Sequence, residues 1–132
     1  MRGQPPHIGH VLTIVRLYEE YDSIILYVVP YPHPYYSKED FILHPNKVIS
    51  IFKEIFKYMP KVRVILSKGS LRDRTSFDDL PQFDVIVTGN KELIKSLKGK
   101  KPTRFFPRSK IGGFNINGTM LREIWRKQQE LA

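Results

Sequence analysis

The sequence predicts an α/β domain with a mostly parallel sheet flanked by helices, and three observations carry that expectation. Two continuous apolar runs of strand length, SIILYVV at 23–29 and FDVIVT at 83–88, suit parallel strands covered on both faces. Segments with helical spacing of apolar residues lie between and around them. Strands and helices alternate along the whole chain, the order that builds layered α/β domains.

Each element has its own justification. Residues 1–10 contain Gly3, Pro5, Pro6 and Gly9 and read as a loop. Val11, Ile14, Val15 and Tyr18 keep helical spacing, predicting a helix over 11–21 that Glu19, Glu20 and Asp22 close. The strand at 23–29 follows. Residues 30–44 are proline-rich and aromatic, with Tyr31, His33, Tyr35, Tyr36 and Phe41, and long loops of this kind are often functional. Pro45 suits the first turn of a helix, where its missing N–H costs nothing. That helix, 45–59, has Val48, Phe52, Ile55 and Met59 as its apolar face, Ile49 and Phe56 beside them, and Pro60 as its end.

Residues 62–66 form a short strand. Residues 67–82 are polar, with Arg72, Asp73, Arg74, Asp78 and Asp79, and read as loop around one short helical turn. The strand at 83–88 turns at Gly89-Asn90 into a short helix, 91–97. Residues 103–106 make a last strand and 111–117 a loop. The final helix spans 118–131, with Leu121, Ile124 and Trp125 as its buried stripe.

Length and composition bound the function. The 132 residues are expected to form a single domain, 1–132, large enough for a core without staples. Cysteine is absent, which excludes disulfides, thiolate metal sites and cysteine nucleophiles. No apolar run approaches bilayer length and no signal-peptide layout opens the chain, so the expectation is a cytoplasmic protein without a membrane partner. The net charge of +9, from 22 Lys and Arg against 13 Asp and Glu, attracts anions or simply keeps the protein soluble. Positive residues are scattered, with one dense run at 98–101. Without a basic arm or an arginine-rich helix, nucleic acid is not the favoured partner.

Two helix entrances carry the chemistry. The first is Gln4-Pro5-Pro6-His7-Ile8-Gly9-His10. Prolines stiffen the approach, Gly9 leaves room for close contact, and a helix N-terminus favours an anion. His7 and His10, three apart, can turn to one side and donate to phosphate oxygens. The alternatives are two surface histidines in a turn, or a two-histidine metal site, for which no carboxylate or cysteine stands at ligand spacing. The second entrance is Asn115-Ile116-Asn117-Gly118-Thr119-Met120-Leu121-Arg122. Taken alone, Asn117 and Thr119 are helix caps and Arg122 a surface charge. The two entrances together are expected to face each other across a nucleotide.

Pro6-His7-Ile8-Gly9-His10 resembles the HxGH signature of the nucleotidyltransferase superfamily, shared with class I aminoacyl-tRNA synthetases. Arg2-Gly3-Gln4-Pro5-Pro6-His7-Ile8-Gly9-His10 is similar to the Gly-Arg-Phe-Gln-Pro-x-His-x-Gly-His opening of archaeal-type nicotinamide mononucleotide adenylyltransferases. Asn117-Gly118-Thr119-Met120-Leu121-Arg122 resembles that family's Ser-Gly-Thr-x-Ile-Arg. The stretch from Phe83 to Asn90 resembles the strand and Gly/Asn turn that precede it. The blocks keep family order along nearly the whole chain. HxGH alone is a weak signal; with Gly-Thr-x-Leu-Arg at this separation it is fairly specific.

The resemblance implies a Rossmann-like nucleotidyltransferase fold and transfer of AMP from ATP to a phosphorylated acceptor, nicotinamide mononucleotide first, with release of pyrophosphate. It implies that His7, His10 and Arg122 are the catalytic groups. Gln4, Pro5, Gly9, Gly89, Asn90, Asn117, Gly118 and Thr119 are implied to bind the nucleotide. Thr119 would cap the last helix and bind phosphate, and Arg122 would neutralise the β- or γ-phosphate. Mg²⁺ would come with ATP, held by few protein ligands. Small-molecule nucleotides are the implied partners, and a homo-oligomer the implied state.

The chain also departs from the family pattern. The family's first, central strand precedes the loop with which this chain opens, so the sheet is expected to lack it. Its neighbours would then have unpaired backbone groups unless the sheet is rebuilt, residues lie upstream, or a strand is exchanged between subunits. Gly3 stands where the family has Phe, and Asn117 where it has Ser. Residues 67–82 lack the Trp that stacks on nicotinamide; Phe77 offers an aromatic face instead. Tyr35, Tyr36 and Phe77 are therefore the expected acceptor-binding residues, or else loop packing. The competing functions are adenylyl or cytidylyl transfer to phosphopantetheine, flavin mononucleotide or a phosphorylated alcohol, and a nucleotide-binding domain without catalysis.

Overall fold

The computed structural model describes residues 1–74, 76–78, 80–107 and 118–131, with the backbone alone for 118–120, 125 and 131. The elements run α1 (Ile8–Tyr18), β1 (Ile24–Val28), α2 (Pro45–Ile55), β2 (Val62–Leu66), β3 (Ile86–Thr88), α3 (Lys91–Leu97), β4 (Thr103–Phe105) and α4 (Gly118–Leu131). By contacts the chain divides into two compact units, Met1–Gly69 with Ser109–Ala132, and Ser70–Arg108.

In the first unit β1 and β2 pair in parallel, from Ile24 opposite Val62 to Val28 opposite Leu66. The crossover between them carries α2, as a parallel pair requires. Ile14, Leu26, Val28, Val48, Phe52, Phe56 and Val64 form the core, with Phe52 and Phe56 stacked at 6.0 Å. The apolar stripes differ from those expected. In α1, Leu17 is buried at 5% exposure and Val15 faces out at 48%. Phe56, the C-cap of α2, closes the Val48–Phe52 face at 3% exposure, and Ile55 turns outward at 43%. A tight turn then delivers the chain to Pro60: Phe56 N–H bonds Phe52 O, and Met59 N–H bonds Phe56 O. Among the described side chains of α4, Arg122 is the buried one at 4%, while Ile124 is 48% exposed. Trp125, expected on that stripe, has its side chain outside the described residues.

Gly3 has φ +62°, and a Cβ there would lie 2.7 Å from Val48 Cγ1 and 2.8 Å from Phe52 Cε2. Both conformation and space select glycine, so the Phe of the family pattern does not fit this backbone. Ile24 N–H and Val28 C=O bond β2 and its flanks. The alternate residues Ile25 and Tyr27 point their backbone groups the other way. There Met1 pairs with β1, its nitrogen donating to Tyr27 O at 2.6 Å and its carbonyl accepting from Val29 N–H at 3.0 Å.

The second unit has its own parallel pair, Ile86 opposite Thr103 to Thr88 opposite Phe105. α3 is the crossover, with Leu97 fully buried. A 3₁₀ turn, Leu71–Asp73, is capped by Ser70, whose hydroxyl accepts from Arg72 N–H at 3.1 Å. The strand expected over 83–88 is Ile86–Thr88 only, the three residues that pair with the three of β4; Phe83 lies before it, in ring contact with Phe77 at 5.9 Å. The architecture is thus mixed α/β with short parallel strands and helices. Among the described residues the strands form two two-stranded sheets where one mostly parallel sheet was expected. No helix among the described residues is long and apolar enough to cross a membrane.

Candidate functional site

The first motif folds as the start of α1, three residues earlier than the apolar spacing suggested, because His7 is its N-cap. His7 Nδ1 accepts from Gly9 N–H at 3.0 Å, and His10 Nδ1 accepts from His7 N–H at 3.1 Å. This is a capping box made of two imidazoles. His10 N–H also bonds His7 O at 3.0 Å. The helix entrance therefore does not present a row of open backbone N–H groups, as a phosphate cradle at a helix N-terminus would. It presents imidazoles instead. Each Nδ1 is an acceptor, so in the neutral ring the proton sits on Nε2. The rings stack with centroids 3.8 Å apart, and His10 meets the edge of Phe52 at 5.7 Å. Core packing thus fixes one ring and stacking fixes the other.

Gly9 is buried, and its carbonyl accepts from the Thr13 hydroxyl at 3.0 Å. Pro5 is half-buried. Gln4 is 1% exposed, and its amide makes two 2.8 Å bonds to the backbone of Leu43, one donated to O and one accepted from N–H. The structure therefore gives the Gln4 side chain a strut's role, where a nucleotide contact was expected.

The second motif meets the first through Arg122. Its Nη1 donates to Gln4 O at 3.0 Å, three residues before His7. Burial pushes the Arg122 pKa below its ordinary value, and the positive charge of Arg2 adds to the effect; Asp40 opposes it. A guanidinium remains charged across the working pH range. Asn117 lies outside the described residues. Gly118 and Thr119 open α4, with side chains likewise outside them.

Three further residues gather here that sequence reasoning did not assign. Arg2 lies over the Tyr36 ring at 4.5 Å and 3.5 Å from Asp40. Arg126, one turn beyond Arg122, donates to the carbonyl of Glu39. Asp40 Oδ2 accepts from Ser37 N–H at 2.9 Å, capping the 3₁₀ turn Lys38–Asp40. The signals were legible: Arg2 stands inside the motif, Arg126 is at i+4 from Arg122, and Ser37-x-x-Asp40 is a capping-box pattern.

Of the expected acceptor residues, Tyr36 is half-buried under Arg2, and Tyr35 is 45% exposed. His33 links them, with ring centroids 4.8 Å from Tyr36 and 5.9 Å from Tyr35. Gly89, Asn90 and Phe77 belong to the second unit. Asn90 Oδ1 caps α3, accepting from Glu92 N–H at 3.0 Å and Leu93 N–H at 3.3 Å. Its amide oxygen is thereby engaged within its own helix. Gly89 is exposed at the end of β3. Phe77 flanks an open concavity of about 420 Å³ with Leu80, Pro81, Phe83 and Lys101, whose ammonium lies 5.0 Å from the Phe83 ring.

The first unit thus offers two stacked imidazoles, a buried guanidinium and two more guanidiniums beside it. These groups are donors and cations, a set that suits phosphate oxygens. Among the described residues no three His, Cys, Asp or Glu gather as metal ligands. No family model matches the chain, and no curated protein sequence matches it.

Proposed function

We propose that the chain is a nucleotidyltransferase that moves AMP from ATP to a phosphorylated acceptor, nicotinamide mononucleotide first, on a Rossmann-like HxGH scaffold. The observation that carries this is the Arg122–Gln4 bond, which sets the Gly-Thr-x-Leu-Arg helix beside the loop that leads into the two stacked histidines. The sequence resemblance links those motifs to one reaction, and the donor set suits its phosphates.

In this account an oxygen of the acceptor phosphate bonds to the α-phosphorus of ATP as the bond from that phosphorus to the bridging oxygen breaks. The bonding pair leaves with pyrophosphate. His7 and His10 donate from Nε2 to oxygens on which charge builds. Arg122 holds the departing phosphates, and its bond to Gln4 fixes where its guanidinium stands. The work is placement and charge stabilisation. Mg²⁺ enters on the ATP phosphates as part of the substrate. The loop with Tyr35 and Tyr36 offers the acceptor an aromatic face.

Pyrophosphate release that requires both ATP and an acceptor tests the proposal. Release from ATP and nicotinamide mononucleotide supports it in full. Release with another acceptor keeps the reaction and changes the substrate. ATP binding with no release under any acceptor favours a nucleotide-binding domain without catalysis.

A further inference from the structure

We infer that Asp40 is a built-in counter-anion, placed against the arginines where a substrate phosphate binds, and that it sets how tightly that phosphate is held. The inference rests on the proposed function above and adds to it a residue that governs affinity.

The two oxygens of Asp40 do different things. Oδ2 is pinned by the turn it caps, accepting from Ser37 N–H at 2.9 Å and from the Ser37 hydroxyl at 3.2 Å. Oδ1 is the oxygen 3.5 Å from Arg2 Nη1. The cap needs one acceptor oxygen, which an asparagine also supplies. The negative charge is therefore additional to what the turn requires.

That charge stands in a crowd of cations. Arg2 is held from its other side by the Tyr36 ring at 4.5 Å. Arg122 is 4% exposed and anchored on Gln4, and the charges of Arg2, Arg126 and Asp40 all act on it. Arg126 is tied to the Glu39 carbonyl. The Glu39 side chain lies in the field of Arg126. Three guanidiniums repel one another, and Asp40 offsets part of that repulsion. A phosphate arriving at Arg122 takes over the same task. It then meets a carboxylate of its own sign, held by its two bonds from Ser37. The carboxylate weakens phosphate binding and eases its departure, which suits a site that must release pyrophosphate.

The test is calorimetric titration of inorganic pyrophosphate into the full chain and into Asp40→Asn and Ser37→Ala, at low and high salt. Asparagine keeps the cap and removes the charge. Alanine at 37 loosens the cap and keeps the charge. The expected result is binding about 3- to 10-fold tighter in Asp40→Asn at low salt, the size of one unit charge several ångströms from another near a protein surface. The gain shrinks as salt screens it. Ser37→Ala does not tighten binding. Equal or weaker binding by Asp40→Asn overturns the inference, as does equal tightening by Ser37→Ala, which would trace the effect to a loosened turn. Pyrophosphate bound by the wild type without the Asp40→Asn gain leaves the proposed function standing. No binding by any of the three proteins overturns both.

Discussion

Arg122 Nη1 donates to the carbonyl oxygen of Gln4 at 3.0 Å, joining residues 118 positions apart. The acceptor is a backbone atom, so the contact depends on how the loop runs and not on which side chain stands at position 4. The Gln4 side chain fixes that run by its two 2.8 Å bonds to Leu43. Loop 30–44, the histidine turn and the last helix are therefore tied at one point.

Arg122→Met removes the charge and leaves the buried Gln4 carbonyl without its donor. It is expected to cost about 1–3 kcal/mol of stability and about 10²–10³-fold in pyrophosphate release. Arg122→Lys restores the charge without the planar fork, so it recovers stability better than turnover. Steady-state kinetics beside urea unfolding measure both. Full activity in Arg122→Lys would show that a point charge suffices.

Gln4→Leu preserves bulk and deletes both bonds to Leu43. Two backbone groups lose their partners, at about 1–3 kcal/mol each where water cannot replace them. The urea midpoint should fall clearly. Hydrogen exchange should speed up at Leu43. A midpoint equal to wild type would mean that the strut does not hold the loop.

Gly3→Ala tests the packing beneath the motif. Its Cβ would sit 2.7 Å from Val48 Cγ1 at φ +62°, so either the core or the backbone must move. A loss of about 1–3 kcal/mol is expected in chemical unfolding. A neutral Gly3→Ala would contradict the described backbone.

Asp40 also predicts a pH dependence. Its carboxyl lies below the ordinary 3.8, first through the Ser37 N–H bond, with Arg2 and Arg122 adding to the effect against some burial. The folded state therefore holds its proton more weakly than the unfolded chain does. The stabilisation is present above the unfolded value and is lost as pH falls through the lower folded one. Unfolding curves at neutral pH and near pH 3 should show a larger loss in wild type than in Asp40→Asn. Equal losses would remove Asp40 from the acid response.

The sequence made the element order legible because apolar periodicity is a local property. Pro45, Asn90 and the runs at 23–29 and 83–88 announced their elements within a few residues, whereas Pro60 placed the end of α2 too late, since the helix stops at Ile55. Which residue of a stripe faces the core was less visible: Phe56 displaced Ile55, and Leu17 displaced Val15. Those choices depend on the neighbour an element packs against, which spacing alone does not state. The motifs drew attention to His7, His10 and Arg122, yet gave no sign that both Nδ1 atoms would be consumed by a capping box. Nor did they show that Gln4 would reach Leu43 or that Arg2 would lie on Tyr36. These contacts join distant parts of the chain, and no window of sequence contains both partners.

The measurement that bears most directly on the central claim is the fate of the α-phosphate of ATP. The protein would be incubated with ATP labelled at that phosphorus, Mg²⁺ and nicotinamide mononucleotide, beside His10→Ala. In the wild type the label is expected to move into the dinucleotide product while unlabelled pyrophosphate appears. His10→Ala is expected to keep its fold and to lose the transfer by about 10²-fold or more. Label that stays in ATP across the acceptor panel, or that moves equally fast in His10→Ala, would contradict the claim.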